Sequence, residues 1–237
     1  MSEQPSTDLI ALSRALGSHP ARLTLHREGS CAARVSDTRF LVSARGAGLS
    51  CLDAGKLMEA DSRKELKLLE SETAVEETGE PALLEEDKPE PSEDASIYAY
   101  VFTLEDVRFA AHTQPIEVNQ ILSSPRARQF SDRRTYHEEI VACGASSVLI
   151  PYVDPGLPLG REVKRKILLW RDRYKIAPKL LLLQNHGMIV LGKTSEEVLR
   201  TTEMTVKAAQ IFAGAAMLGG PVFLTPSNVL QIDSTKD

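Results

Sequence analysis

The sequence contains no long hydrophobic run. Its longest apolar stretches, 179–183 and 188–191, have the length of single strands, whereas a membrane-spanning helix needs about 18 or more apolar residues. The opening residues are polar and have neither the basic start nor the apolar segment of a secretory signal. We therefore predict a cytoplasmic protein with no membrane partner.

Cysteines and aromatic residues are also few. Cys31, Cys51 and Cys143 are widely spaced and include no Cys-x-x-Cys pair, which argues against a zinc ribbon and against a thioredoxin-type site. This usage is typical of reduced, buried or half-buried thiols in a cytosolic protein. Aromatic residues make up 5% of the chain and are not interleaved with a basic stripe, so we predict no nucleic-acid partner.

The sequence does contain enough apolar material for a sizeable core, since 42% of its 237 residues are hydrophobic. Its charge is uneven. Residues 70–94 hold eleven acids and one base, whereas the rest of the chain holds 22 acids and 27 bases. We interpret 70–94 as a solvated loop or flap, with a lid or a docking surface for a basic partner as the alternative.

The hydrophobic pattern alternates between helical and strand spacing. Helices are predicted at 5–16, 53–69, 96–103, 115–122 and 159–174 and from Thr194 past Phe212, and strands at 31–35, 39–42, 107–111, 147–153, 179–183 and 188–191. The charged segment 126–136 is predicted to be irregular. The pattern favours a single α/β domain over 1–225, built as three α/β/α layers around a central, largely antiparallel sheet. Residues 226–237 would form a loose, polar C-terminal tail.

Two histidines, His112 and His186, follow apolar strand candidates. Strand ends are rigid positions that open to solvent and often carry ligand-binding side chains. Two imidazoles from separate strands could share a divalent metal such as zinc. Histidines that only form hydrogen bonds within the packing would give the same pattern. His137, on a charged segment, is either solvent-facing or an additional ligand.

Four segments resemble the class II aldolase/adducin family. They are LLQNHGMIVLG at 182–192, PSEDASIY at 91–98, HTQP at 112–115 and PYVDPG at 151–156. The strand pair around Asn185-His186-Gly187 is the most specific of them, and the similarity extends over about residues 9–218. The family includes fuculose-phosphate and rhamnulose-phosphate aldolases, ribulose-phosphate epimerases and the adducin head domain. The resemblance implies a homo-oligomer, commonly a tetramer.

The resemblance also implies a metal site. In the family, three histidines hold zinc, the metal stabilises an enediolate, and a glutamate transfers the proton. The first and third ligands match His112 and His186, but the second falls on Gln114, which offers only a neutral carbonyl oxygen. The glutamate falls on Asp94, which would be the catalytic residue, and a histidine that often follows it falls on Tyr98. A divalent metal, zinc in the first instance, would then be held weakly unless Asp94 also coordinates it.

The implied phosphate site is altered as well. The resemblance assigns substrate binding to Ser30, Arg45, Gly46 and Ser92, with Arg45 where a serine or threonine is usual. Glu93 follows Ser92, and a carboxylate repels a phosphate. Arg45 would compensate, or would bind a substrate carboxylate instead. The glycine could equally serve only the turn.

Three hypotheses remain open at this stage. The first is a metal-dependent lyase that cleaves or forms a carbon–carbon bond in a small sugar-phosphate-like carbonyl substrate. The second is a catalytically inactive scaffold or binding protein, in the manner of the adducin head, because the replacements fall at the functional positions. The third is an enzyme with changed chemistry, such as an epimerase, dehydratase or decarboxylase, since a fold does not carry its site with it.

Overall fold

The alternating sequence pattern corresponds to alternating helices and strands in the computed structural model, which describes residues 4–71 and 89–235. The helices are α1 (Gln4–Gly17), α2 (Ser62–Glu70), α3 (Ala95–Val101), α4 (Ile116–Leu122), α5 (Ala127–Asp132), α6 (His137–Cys143), α7 (Leu157–Tyr174), α8 (Ser195–Met217) and α9 (Pro226–Ser234). The strands are β1 (Ser30–Arg34), β2 (Arg39–Ser43), β3 (Leu57–Asp61), β4 (Phe109–Thr113), β5 (Val148–Ile150), β6 (Leu180–Leu183) and β7 (Gly187–Gly192).

The strands of the described part form one sheet of seven, in the order β3-β2-β1-β4-β7-β6-β5. Every neighbouring pair is antiparallel except β5 and β6, which run parallel. The prediction of a central, largely antiparallel sheet is therefore confirmed. β4 lies at the middle of the sheet and β5 at one edge.

Helices cover both faces of the sheet, as the three-layer prediction requires. On β6, Leu180 and Leu182 pack into the core that α1, α4, α6 and α8 share, while Leu181 and Leu183 pack into the core of α2, α3 and α7. A central strand that is buried on both faces reads as a continuous apolar run, which explains the leucine stretch in the sequence.

Local sequence features determine where α8 begins and how closely α7 packs against α2. The side chain of Thr194 accepts a hydrogen bond from the backbone N–H of Glu197 and begins α8, as the sequence predicts. In the first turns of α7, a Cβ added to Gly160 would lie 2.7 Å from Leu69 Cδ2. A glycine at this position therefore lets α7 approach α2 closely.

Three local predictions are wrong. Residues 53–69 are not one helix, because Leu57 and Met58 pair with β2 in an edge strand and Asp61 then caps α2 by accepting from Arg63 N. The segment 126–136 is not irregular. It contains α5, in which Phe130 is buried while charged side chains lie outside.

The third error concerns the C-terminal tail predicted to be loose at 226–237. Thr225 accepts from Asn228 N, and Pro226 occupies the first turn, where its missing N–H costs nothing. Helix α9 follows and packs against α6. Two residues of the predicted tail, 236–237, lie outside the described residues.

The predicted acidic flap lies mainly outside the described residues, which omit 72–88. Cys31 and Cys143 are buried and Cys51 is exposed, and all three thiols are free. No helix in the described ranges is long and apolar enough to cross a membrane.

Candidate functional site

His112 lies inside β4, one residue before its end, and not after it as the sequence pattern suggested. Alternation along the strand places it on the same face as Ala110, which packs into the core beneath α3. The side chain of His112 is almost fully buried. The imidazole therefore stands on a rigid central strand and faces the first turns of α3.

A buried hydrogen-bond network fixes one side of this imidazole. His112 Nδ1 lies 2.9 Å from Asp94 Oδ2, and the hydroxyl of Ser30 donates to the same oxygen at 2.5 Å. Tyr98 Oη lies 2.6 Å from Ser30 Oγ and donates to the backbone carbonyl of Ser30 at 3.0 Å. All four residues are buried, and they join β4, β1 and α3 at one point.

Burial, charges and hydrogen bonds within the network shift the pKa values of Asp94 and Tyr98. Burial raises the pKa of Asp94, but the His112 imidazole and the Ser30 hydroxyl outweigh burial, and the pKa lies below the usual value. Burial and the charge of Asp94 raise the pKa of Tyr98 well above its usual value, so its hydroxyl keeps its proton. Ionised Asp94 can only accept, so His112 Nδ1 carries a hydrogen and Nε2 is the ring nitrogen that the carboxylate does not engage.

His186 approaches from the turn between β6 and β7. Asn185 adopts a left-handed conformation (φ 57°), which asparagine tolerates better than most residues. A Cβ on Gly187 would lie 2.6 Å from the carbonyl oxygen of Thr113 and 3.2 Å from His112 Nε2. A glycine in the Asn-His-Gly motif is therefore required for the turn to lie against the end of β4.

The two imidazoles meet edge to face, with ring centroids 4.9 Å apart. His112 Nε2 is buried and has no hydrogen-bond partner within the described ranges. Desolvation and the proximity of His112 lower the pKa of His186, against an opposing effect of Asp94. The lowered pKa favours the neutral form of the His186 ring at neutral pH.

The residues around His112 provide only a small set of donor atoms for a metal ion. An orphaned, buried His112 Nε2 whose opposite nitrogen binds a carboxylate is the arrangement that orients metal-binding histidines. Gln114, the predicted third ligand, lies beside His112, because its Cγ and His112 Nε2 would lie 3.0 and 3.2 Å from a Cβ on Gly187. Among the described residues, no group of three or more His, Cys, Asp and Glu side chains could hold a metal ion. Two imidazoles are therefore the strongest donors at this place, and an amide would have to provide the third.

Asp94 stands on the far side of His112 from this donor set. Its Oδ2 contacts Nδ1, whereas Nε2 is the nitrogen that has no partner in the part of the chain that the structure describes. In this geometry Asp94 would act on a metal through His112 and not as a direct ligand.

Three of the four predicted substrate-binding residues, Arg45, Gly46 and Ser92, lie near the end of β2. Ala44 forms an isolated antiparallel bridge with Pro91, and Ser92 N donates to Ser43 O at 3.1 Å. This pairing brings Arg45 and Gly46 beside Ser92 and the start of α3. Gly46 has a positive φ of 70°, a conformation that favours glycine.

The charge of Arg45 is already engaged. Its guanidinium lies 3.6 Å from Glu90 Oε2 and 3.7 Å from Glu93 Oε1, all at exposed positions. Sequence reasoning missed Arg27, whose Nη1 would lie 3.9 Å from a Cβ on Gly46. Because Arg27 lies in a loop before β1, only the sheet topology reveals that it is close to this turn.

Two other sequence-based assignments change. Ser30 is predicted to bind substrate, but its hydroxyl donates to Asp94 inside the buried network. His137, considered as an additional ligand, is the exposed first residue of α6, which packs against α8 and α9 rather than β4. Tyr98 belongs to the site, although the sequence identified it only as a departure from the family pattern.

Comparisons with solved structures agree with this fold. An L-fuculose 1-phosphate aldolase superposes with a TM-score of 0.73 at 14% identity, covering 99% of this chain and 96% of its own. YgbL from Klebsiella pneumoniae, described as a putative aldolase/epimerase/decarboxylase, gives 0.71 at 16% identity, with 97% and 98% covered. An aldolase II superfamily protein from Pseudomonas syringae gives 0.69 at 17% identity, with 100% and 86% covered.

At these identities the superpositions establish the fold alone. Among curated proteins, none matches the sequence. The model of the Class II Aldolase and Adducin N-terminal domain matches residues 7–213, which is most of the chain. The Asn-His-Gly turn, the central-strand histidine and the seven-stranded sheet thus lie within that match, and the chain belongs to the class II aldolase and adducin family.

Proposed function

We propose that this protein is a divalent-metal-dependent lyase that cleaves or forms a carbon–carbon bond in a small sugar-phosphate-like carbonyl compound. The observation that carries the proposal is the buried Nε2 of His112, which has no hydrogen-bond partner among the described residues and lies beside His186, while Nδ1 is bound to Asp94. A structural histidine in a core normally satisfies both ring nitrogens, since a buried polar atom without a partner is costly.

His112, His186 and Gln114 would hold the cation, with zinc as the first choice because of its preference for imidazole. When bound, a divalent cation supplies Lewis-acid stabilisation of negative charge that develops on a carbonyl oxygen. The amide oxygen of Gln114 is a poorer donor than imidazole, so we expect weaker metal binding than three histidines would give.

Asp94 is the proposed proton-transfer group, as the family resemblance implies. Its Oδ2 already accepts from Ser30 and His112, so Oδ1 is the oxygen that would receive a proton. A carboxylate whose pKa lies below its usual value is a weak base. We therefore expect slow turnover, limited by proton transfer.

The phosphate of the substrate would bind at the turn that carries Arg45 and Gly46, next to Ser92. Arg27, beside Gly46, adds a second cation. Glu90 and Glu93 compete with a phosphate for Arg45, so substrate affinity would be modest.

The proposal is tested by turnover of L-fuculose 1-phosphate, the compound named in the structural relative. Protein incubated with zinc, manganese or iron is mixed with this compound, and a new phosphate-ester signal is followed by phosphorus NMR. We expect metal-dependent cleavage that His112→Ala abolishes and that the control variant His137→Ala, at an exposed position on α6, retains. A product signal that is unchanged in His112→Ala would overturn the proposal.

The second candidate is a catalytically inactive scaffold, as in the adducin head. It is favoured by the absence, within the described residues, of a three-member His, Cys, Asp and Glu cluster. It is also favoured by Asp94, whose Oδ2 already accepts from Ser30 and His112 within the protein. A scaffold predicts no turnover and the same unfolding temperature with zinc and with a chelator.

We also propose that the chain forms a homo-oligomer. The end of α8 and the segment after it leave large apolar side chains in solvent, since Met217, Leu218 and Val222 are each at least 85% exposed. Contiguous exposed apolar surface is typical of an interaction surface. Light scattering should give a mass of several chains, and Leu218→Glu should reduce it.

A further inference from the structure

A second cleft lies beside the edge strand β5, separated from β4 by β6 and β7. Its volume is about 600 Å³, which is within the range of small-molecule sites. Its walls come from the segment before β5, the C-terminal half of α7, the residues around the end of α5, and α9. It shares no residue with the imidazole site.

Cationic side chains surround this cleft, and several of them have no close acidic partner among the described residues. Arg133 and Arg173 form no ion pair with any residue of 4–71 and 89–235. Lys166 lies 4.0 Å from Glu162 Oε1, the limit for an ion pair. That carboxylate binds Arg165 at 2.6 Å, so Lys166 retains most of its capacity to bind an anion.

Acidic side chains do not offset these charges. Asp132 is the one acid among the described residues that line the cleft, and it accepts from Arg128 at 2.7 Å. Arg133 stacks its guanidinium over the ring of Phe223, 4.9 Å from the centroid. Stacking uses the face of the guanidinium and leaves its N–H donors free at the edge.

One wall of the cleft is aromatic and aliphatic. Trp170 and Tyr174 pack with ring centroids 4.3 Å apart, and the exposed Leu169 and Leu230 extend the apolar surface. Trp170 Nε1 is buried and has no acceptor among the residues that the structure describes. The cleft thus combines free donors with an aromatic and aliphatic wall.

We propose that this cleft binds a small organic anion that carries a phosphate group and a flat ring, of the nucleoside monophosphate class. Arginine and lysine donors match the oxygens of a phosphate, and the aromatic wall matches the ring. The site is independent of the proposed lyase activity, because its lining and the metal donors have no residue in common.

Trp170 is the only tryptophan of the chain, so its fluorescence reports directly on the cleft. The full-length protein is titrated with AMP, and in separate arms with inorganic phosphate and with adenosine. We expect a saturable change with AMP and much weaker responses from the two fragments. Lys166→Gln and Arg173→Gln should each weaken AMP binding about tenfold.

Arg171→Gln is the matched control, because Arg171 is an exposed cation on the same helix α7 and does not line the cleft. It should change AMP affinity by less than about twofold. No saturable response, or equal loss in the control, would overturn the proposed site. Equal binding of inorganic phosphate would overturn the assigned ring. A fluorescence change that follows protein concentration, with no response to AMP, would assign the cleft to a second copy of the chain instead.

Discussion

His112 Nδ1 lies 2.9 Å from Asp94 Oδ2, and this one contact determines which nitrogen of the ring is free. An ionised carboxylate cannot donate, so Nδ1 carries a hydrogen and Nε2 is the nitrogen that the carboxylate leaves free. Asp94 has its own support from Ser30, which in turn contacts Tyr98. These contacts link α3, β1 and β4, and together they fix the orientation of the His112 ring, a proposed metal donor.

Removal of the charge at Asp94 should weaken metal binding. Asp94→Asn keeps the shape of the side chain but removes the charge that favours hydrogen on Nδ1. We expect zinc affinity to fall about 10- to 100-fold, the usual effect of losing such an orienting partner. Calorimetric titration with zinc measures it. The control Asp106→Asn, at an exposed aspartate, should bind zinc like the unchanged protein, and equal affinity in both variants would contradict the role of Asp94.

The hydroxyl of Tyr98 should contribute to stability, whereas that of Tyr100 should not. Tyr98 Oη contacts two atoms of Ser30, but the buried Tyr100 Oη has no partner within the described residues. Tyr98→Phe should lower the free energy of unfolding by about 1–3 kcal/mol. Tyr100→Phe, two positions along the same helix, should be neutral or slightly stabilising. Urea denaturation of both variants measures the difference, and equal losses would refute the network.

Release of Arg45 from its carboxylates should increase phosphate affinity. Glu93 Oε1 lies 3.7 Å from Arg45, and Glu93→Gln removes a repulsive charge beside the proposed phosphate site. We expect binding of L-fuculose 1-phosphate to strengthen about threefold at low salt, and the gain to disappear at high salt. Glu59→Gln frees Arg39 from a comparable surface pair and should change nothing. The same gain in both variants would indicate a general charge effect.

Glu197 should stabilise the fold at neutral pH and not at acid pH. Its carboxylate accepts from Lys179 Nζ and from the backbone N–H of Lys193, both at 2.8 Å. Burial raises the pKa of Glu197, but these donors outweigh it and the pKa is lowered. The stabilisation is therefore complete above the ordinary carboxyl pKa of 4.5 and is lost as the pH falls through the lowered value.

Glu197→Gln should accordingly cost about 1 kcal/mol or less at neutral pH. The difference from the unchanged protein should narrow in thermal unfolding below pH 4.5. The exposed Glu105 provides the control as Glu105→Gln. A difference that widens on acidification would show that the sign of the pKa shift is wrong.

Sequence patterns predicted the central elements and failed where tertiary contacts decide. The apolar runs of β6 and β7 and the capping of α8 follow from local chemistry and were predicted correctly, whereas His112 lies inside its strand and not after it. The edge strand β3 was predicted as helix. Its residues are held in a strand by pairing with β2, and this pairing has no local signal in the sequence. The position of Arg27 beside Gly46 has no local signal. The role of Tyr98 depends on a contact 68 positions away in the chain, with Ser30.

Zinc content per chain tests the central claim most directly. Elemental analysis after incubation with zinc and removal of excess metal should give about one zinc per chain, which the double variant His112→Ala/His186→Ala should lose and His137→Ala should keep. Gln114→His adds an imidazole and should tighten binding about tenfold or more. Zinc retained by the double variant, or absent from both the unchanged protein and Gln114→His, would contradict a metal site between β4 and the Asn-His-Gly turn.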